Sequence, residues 1–298
     1  MFAHRSFILI SLIFLTASGL SACASLSPPE PTATATITFT PEPPTATPEP
    51  LALSVNGEGI TVQEFDAEVA RYIEAQEALG QAVVSADATR AVIEDLTAQL
   101  LLAQAARAEG FSLDDAALQG RIDSLAAQIG GAGNLSTWQA DNGYSEQTFR
   151  SALRRGAEAA WMRDKIIAAV PSTAEQVHVQ QILLYNQDTA QSFLIQLNGG
   201  ADFDELAARA DPLTRGDLGW VPRGYLLEKT IEEAAFSLPV GGHSDVIPTN
   251  VGYHIVKSLE KDPDRPLSPD AYLALQELAL KNWVEEQRQQ ANVVLAPG

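Results

Sequence analysis

The chain holds four histidines and one cysteine among its 298 residues. Two histidines fall in apolar runs: His178 in VHVQQILL (177–184) and His254 in GYHIVKSL (252–259). An imidazole within a buried strand invites a catalytic reading, because its ordinary pKa lies near neutrality. The cysteine, Cys23, stands close to the N-terminus, and the rest of the chain has no thiol. Disulfides, cysteine–zinc sites and a cysteine nucleophile are therefore excluded from the body. No P-loop, dinucleotide-binding glycine fingerprint or HExxH is present, and Gly199-Gly200 is too poor a match for a phosphate loop. No cofactor and no metal is expected.

The strands that carry the histidines decide which of them can meet other groups. Side chains alternate between the two faces of a strand. His178 should point with Gln180, Ile182 and Leu184, whereas Gln181 should point with Val177, Val179 and Leu183. Only a bulge would bring His178 round to the Gln181 face, so His178 is expected to be a structural or surface residue. His243 follows a Gly-Gly turn and is expected to face solvent.

Ahead of these strands the pattern is mainly helical. LALSVNGEGI (51–60) reads as a short strand turning at Asn56-Gly57, and Thr61-Val62-Gln63-Glu64 fits a capping box. Phe65, Val69 and Ile73 share one face of the helix that follows. A second helix is expected from about Thr89, with Ile93, Leu96 and Leu100 inward, ending at Gly110. Ser112 is a cap for a third, carrying Leu118, Ile122, Leu125 and Ile129, and the GGAG at 130–133 ends it. Ser136 and Ser145 are caps for two more, the last passing Phe149, Leu153 and Trp161 to stop at Pro171. From residue 172 strands and helices interleave: helices at 188–198, 202–210 and 228–237, a Gly-punctuated turn and strand at 215–220, and the strand 252–259. A final helix is expected over roughly 269–291. The whole reads as an α+β protein.

With 38 acidic residues against 19 basic, the chain carries −19 at neutral pH and has no basic run to offset it, so nucleic acid is not an expected partner. At the N-terminus His4 and Arg5 precede a short apolar run from Phe7 to Leu15, a signal segment rather than a membrane span. Leu20-Ser21-Ala22-Cys23 resembles the lipobox of bacterial lipoproteins. That resemblance implies cleavage before Cys23 and lipid on its sulfur. SPPEPTATATITFTPEPPTATPEP (27–50), in which TPEP occurs twice, cannot build a core. Its prolines favour an extended tether of about 3 Å per residue.

QQILL (180–184), GGADFDELA (199–207), RGDLGW (215–220), PRGYL (222–226), EEAAFSLPVG (232–241) and PTNVGYHIVK (248–257) resemble the motifs of the parvulin family of peptidyl-prolyl isomerases, in the family's order. VNGEGIT (55–61) and the helices after it look like the N-terminal part of secreted parvulin-type chaperones. The arrangement is similar to lipid-anchored, extracytoplasmic foldases of the PrsA and SurA kind. It implies a signal peptide over 1–22, a linker over 23–50, a helical chaperone domain over 51–172 and a parvulin domain over 173–262. That last domain would hold a small mixed or antiparallel sheet flanked by helices. A C-terminal helix within 263–298 would then return to the helical domain.

The same resemblance implies the site. Leu218, Leu226, Ile231 and Phe236 would line a proline slot, His254 is the histidine of the family's last strand, and Thr249 matches a threonine upstream of it. Asp211 lies near a position where relatives carry Asp or Cys. Two departures stand out. Gln181 occupies the place of the family's first-strand histidine, and the basic phosphate-binding loop is missing. Implied partners are unfolded secreted polypeptides containing X-Pro, with the membrane held through lipid on Cys23. Three functions stay open: a foldase that speeds X-Pro isomerisation, a holdase whose parvulin module only binds, and a cell-surface adaptor.

Overall fold

The computed structural model describes residues 49–296. The signal segment, Cys23 and the tether up to residue 48 lie outside the described residues. The first element is a hairpin of β1 (Leu51–Val55) and β2 (Glu58–Thr61). Asn56 (φ 54°) and Gly57 (φ 87°) both take left-handed backbone, the two-residue turn whose twist suits paired strands.

Five helices follow. In α1 (Val62–Ala78) Thr61 accepts from the Glu64 amide at 3.2 Å, but the expected box is only half made. The Glu64 carboxylate instead takes Arg155 at 2.6 Å, and both side chains are buried. Helix α2 (Ser85–Ala108) starts ahead of Thr89 and buries Val92, rather than Ile93, with Leu96 and Leu100. Asp114, not Ser112, caps α3 (Asp115–Gln128), its carboxylate accepting from the Ala117 amide at 2.7 Å. Ser136 lies inside α4 (Ala132–Asp141), which begins directly after Gly131. Ser145 caps α5 (Glu146–Ala168) in a reciprocal box with Thr148.

The second half of the chain builds β3 (Thr173–Leu184), α6 (Gln187–Asn198), α7 (Phe203–Ala210), β4 (Asp217–Pro222), α8 (Lys229–Ser237), β5 (Ile247–Thr249) and β6 (Gly252–Pro266). Its strands form an antiparallel sheet of order β4-β3-β6-β5. Both sheet faces are covered. Val177, Val179 and Val256 pack on Ile231, Ala235 and Phe236 of α8. Ile182 and Ile255 pack on Phe193 and Leu197 of α6 and on Phe203 and Leu206 of α7. Burial on both sides explains why the central strands read as nearly continuous apolar runs.

Strands β3 and β6 are also the module's entry and exit. They pair from Thr173↔Pro266 to Leu184↔Tyr253, and the Leu267 amide donates to Ser172 O at 2.9 Å beyond the last pair. Helix α9 (Pro269–Gln290) then returns to the helical half, where Leu280, Trp283 and Val284 pack on Ala103, Ala106 and Met162. A short strand absent from the sequence reading, β7 (Val293–Leu295), pairs with β1 through Leu53↔Leu295 and Val55↔Val293. Asn56 and Asn292 exchange two bonds of 2.9 Å at the end of that pair.

Charge is buried here too. Arg107 of α2 pairs with Glu58 of β2 and with Glu158 of α5, which is 1% exposed. The Leu113 amide donates to the same Glu158 carboxylate. Removing Glu158 would leave the buried Leu113 amide without its acceptor and take one of two carboxylates from Arg107. Glu158→Ala is expected to lower stability by roughly 2–3 kcal/mol, seen as a lower urea midpoint in far-UV circular dichroism.

Candidate active site

Sheet register brings the candidate residues together. The pairs Gln181↔Val256 and Leu183↔His254 place Gln181 and His254 on one face of neighbouring strands. The His254 ring spans two partners: Nδ1 lies 2.8 Å from Gln181 Oε1 and Nε2 lies 3.0 Å from the Thr249 hydroxyl, which also reaches Gly252 O at 3.3 Å. Thr249 in turn accepts from the Val251 amide at 3.2 Å. The turn that delivers it needs Gly252, whose φ is 152° and where a Cβ would lie 2.7 Å from Leu184 O. His254 is 3% exposed. Burial pushes its pKa below the ordinary value, and the nearby Glu228 carboxylate only partly opposes that. The trio is therefore uncharged at neutral pH.

A second glycine fixes Gln181. The Gln181 amide donates to Gly216 O at 2.8 Å, and a Cβ at Gly216 (φ 69°) would sit 1.8 Å from Gln181 O. Only glycine allows the loop so close. Just beyond, β4 carries an extra residue, because Val179 pairs with Gly219 but Gln180 with Asp217. Such a bulge re-aims a side chain, and Leu218 packs on the α8 side of the sheet.

Leu218, Leu226, Ile231 and Phe236 all belong to one apolar cluster over Val177, Val179 and Val256. Ile231 and Phe236 are buried, while Leu218 and Leu226 are half-buried. Glu232, which the sequence reading left out, shapes this wall. Its carboxylate accepts from the Gly224 amide at 2.9 and 2.8 Å and from the Leu226 amide at 3.2 Å. A carboxylate in the first turn of a helix, just after a glycine-bearing loop, is the signal for that role. Arg223 closes the outer edge with its guanidinium 4.0 Å over the Phe236 ring.

Asp211 is not gathered into this group. It ends α7, and its carboxylate accepts from the Leu213 and Thr214 amides (3.0 and 3.2 Å) and from the Thr214 hydroxyl. Those bonds, the hydroxyl's first, hold it below the usual carboxylate range. His178 lies on the opposite face from Gln181. Its Nε2 is 2.9 Å from Asp217 Oδ1, and its ring stacks on Trp220 at 5.4 Å. The bulges beside it lie on β4 and β6, so alternation along β3 is kept. His243, expected in solvent, is instead half-buried in a bridge to Lys257, with Nδ1 3.1 Å from Ser244 O.

A four-stranded antiparallel sheet between helices, preceded by a helical body, defines an α+β protein. Comparison with known proteins carries this further. Residues 165–262 match the PPIC-type PPIase domain, and 33–160 match the SurA-like N-terminal domain. The peptidyl-prolyl cis-trans isomerase Pin1 of Arabidopsis thaliana is 32% identical over 104 residues, covering 34% of this chain and 80% of that one. The chain belongs to the PPIC-type peptidyl-prolyl isomerase family. The foldase protein PrsA of Geobacillus sp. (strain WCH70) is 36% identical over 98 residues, 31% of this chain and 35% of that protein. The chain thus spans about a third of the length of the curated PrsA relatives it matches. The crystal structure of PrsA from Bacillus cereus aligns over 78% of this chain and 83% of its own, at 21% identity and a TM-score of 0.43.

The lowered His254 pKa has a stability consequence. Below the ordinary value of 6.5 the unfolded histidine takes a proton that the folded one resists. Stability should therefore fall as pH drops through that value and level off below the folded pKa. Urea midpoints between pH 7.5 and 5 should fall less for His254→Asn than for wild type.

Proposed function

We propose that this chain is an extracytoplasmic, lipid-anchored peptidyl-prolyl cis–trans isomerase that assists the folding of secreted polypeptides. The observation that carries the reading is the Gln181–His254–Thr249 chain of hydrogen bonds beside the Leu218, Leu226, Ile231 and Phe236 wall. Rotation about an X-Pro bond meets a barrier of ~18–20 kcal/mol and breaks no covalent bond. A catalyst must hold the twisted amide better than either planar form. The apolar wall would take the proline ring. His254, tied to Gln181 and Thr249, would order the polar side of the site. Glutamine keeps that order at every working pH but cannot reproduce a paired-histidine network, so the activity is expected to be weaker than in relatives with two histidines. In this reading Asp211 holds a turn at the edge of the site and touches no substrate.

The proposed units are a signal peptide (1–22), a tether (23–50), a helical chaperone body (51–172), the isomerase module (173–262) and the returning C-terminal segment (263–298). Gln181 also favours a second reading, a holdase whose module binds X-Pro segments without accelerating them. A protease-coupled assay on an Ala-Pro peptide separates the two. His254→Ala should lose at least about tenfold in kcat/KM and Gln181→His should gain severalfold. Wild type already matching a strong parvulin, with no gain in the revertant, would count against the weakened-site account. No activity above background would leave the holdase.

Anchoring rests on LSAC at 20–23. Among the described residues no helix is long and apolar enough to cross a membrane. Cys23→Ser should move the protein from the membrane pellet to the soluble fraction and abolish labelling by radioactive palmitate.

A further inference from the structure

Glu228 stands in the loop between Leu226 and Ile231, two residues of the apolar wall, and is half-buried. It occupies the N-cap position of α8, yet its side chain makes no capping bond. Among the described residues its carboxylate has no hydrogen-bond or ion-pair partner. The neighbouring cations do not supply one: Arg223 is engaged by Glu175 at 3.1 Å and by the Phe236 ring, and Lys229 is exposed. The Glu228 charge acts on His254, raising the imidazole pKa against the larger effect of burial. The loop geometry is not free to relax, because Glu232 holds the Gly224 and Leu226 amides. Where the chain leaves β3, Tyr185, Asn186, Gln187 and Asp188 offer no basic side chain to an anionic substrate.

We infer that Glu228 is a specificity residue that selects Lys or Arg in the position preceding the substrate proline. The inference rests on the isomerase reading of the same site and adds the substrate class. With the proline ring on the Leu226 and Ile231 wall, the preceding side chain lies along the loop between them. An ammonium or guanidinium there returns to Glu228 the counter-charge that partial burial denies it. A carboxylate or phosphate at the same place meets like charge at short range.

The test uses the full soluble protein (Cys23→Ser) with blocked Ala-Lys-Pro-Phe, Ala-Ala-Pro-Phe and Ala-Glu-Pro-Phe. NMR exchange gives the isomerisation rate, and titration of the ¹⁵N-labelled protein gives Kd for each peptide. Wild type should favour the Lys-Pro peptide over the Glu-Pro peptide by about tenfold in kcat/KM or Kd at low salt, with the ratio shrinking as salt rises. Glu228→Gln should bring the ratio close to one, and Glu228→Lys should reverse it. A wild-type ratio of one overturns the inference. So does a ratio that survives in Glu228→Gln, which would trace the preference to the overall charge of −19 instead. If no peptide is isomerised but the Kd ratio behaves as stated, the catalytic reading falls and the subsite stands.

Discussion

The antiparallel pairing of β3 with β6 is the contact on which most of this molecule depends. It runs from the module's entry at Thr173 to Leu184, so one ladder defines the sheet centre, the register of the site and the link to the helical body. Its register puts Gln181 and His254 on the same face, opposite His178. A slip of one residue would send one of the pair to the α6 and α7 side of the sheet, where Ile182 and Ile255 now pack. Both strands are buried on both faces, which makes such a slip costly and the geometry of the polar trio dependable.

The two halves handle buried polarity differently. In the helical body, the buried Glu158 and Glu64 side chains are matched to Arg107 and Arg155, and the pairs tie α1, α2, α5 and the hairpin to one another. At the site, three neutral side chains satisfy each other without any formal charge. In the proposed reading, uncharged partners around His254 suit an amide guest, which presents dipoles and a partial double bond rather than a net charge, and they leave charge recognition to Glu228. The carboxylate of Glu232 faces backbone amides, where it shapes the wall without facing a guest.

Much of this was legible in the residues because it is local. Asn56-Gly57 dictates its own turn, alternation in VHVQQILL separates His178 from Gln181, and the glycines of RGDLGW mark the turn that leads into β4. What was not legible depends on competition or distance. Ser112 and Asp114 are both sound caps two residues apart, and propensity does not choose between them; the structure selects Asp114. Ser136 sits where a cap would be reasonable, but Gly131 starts the helix earlier. Strand β7 is three residues long and exists only because β1 is waiting at the other end of the chain. His243 reads as a turn residue until Lys257 is brought beside it. Asp211 has the residue type of a site member, yet its own loop amides claim it first.

The closing of β7 on β1 also sets an order of events. A polypeptide that emerges N-terminus first presents Leu53 and Val55 early, but their outer partners, Leu295 and Val293, arrive last. The isomerase module, in contrast, has all its strands once Pro266 has emerged. As the chain emerges, the module can therefore finish folding while the helical body is still missing one side of its first sheet and the whole of α9. The part of the molecule made first is the part completed last.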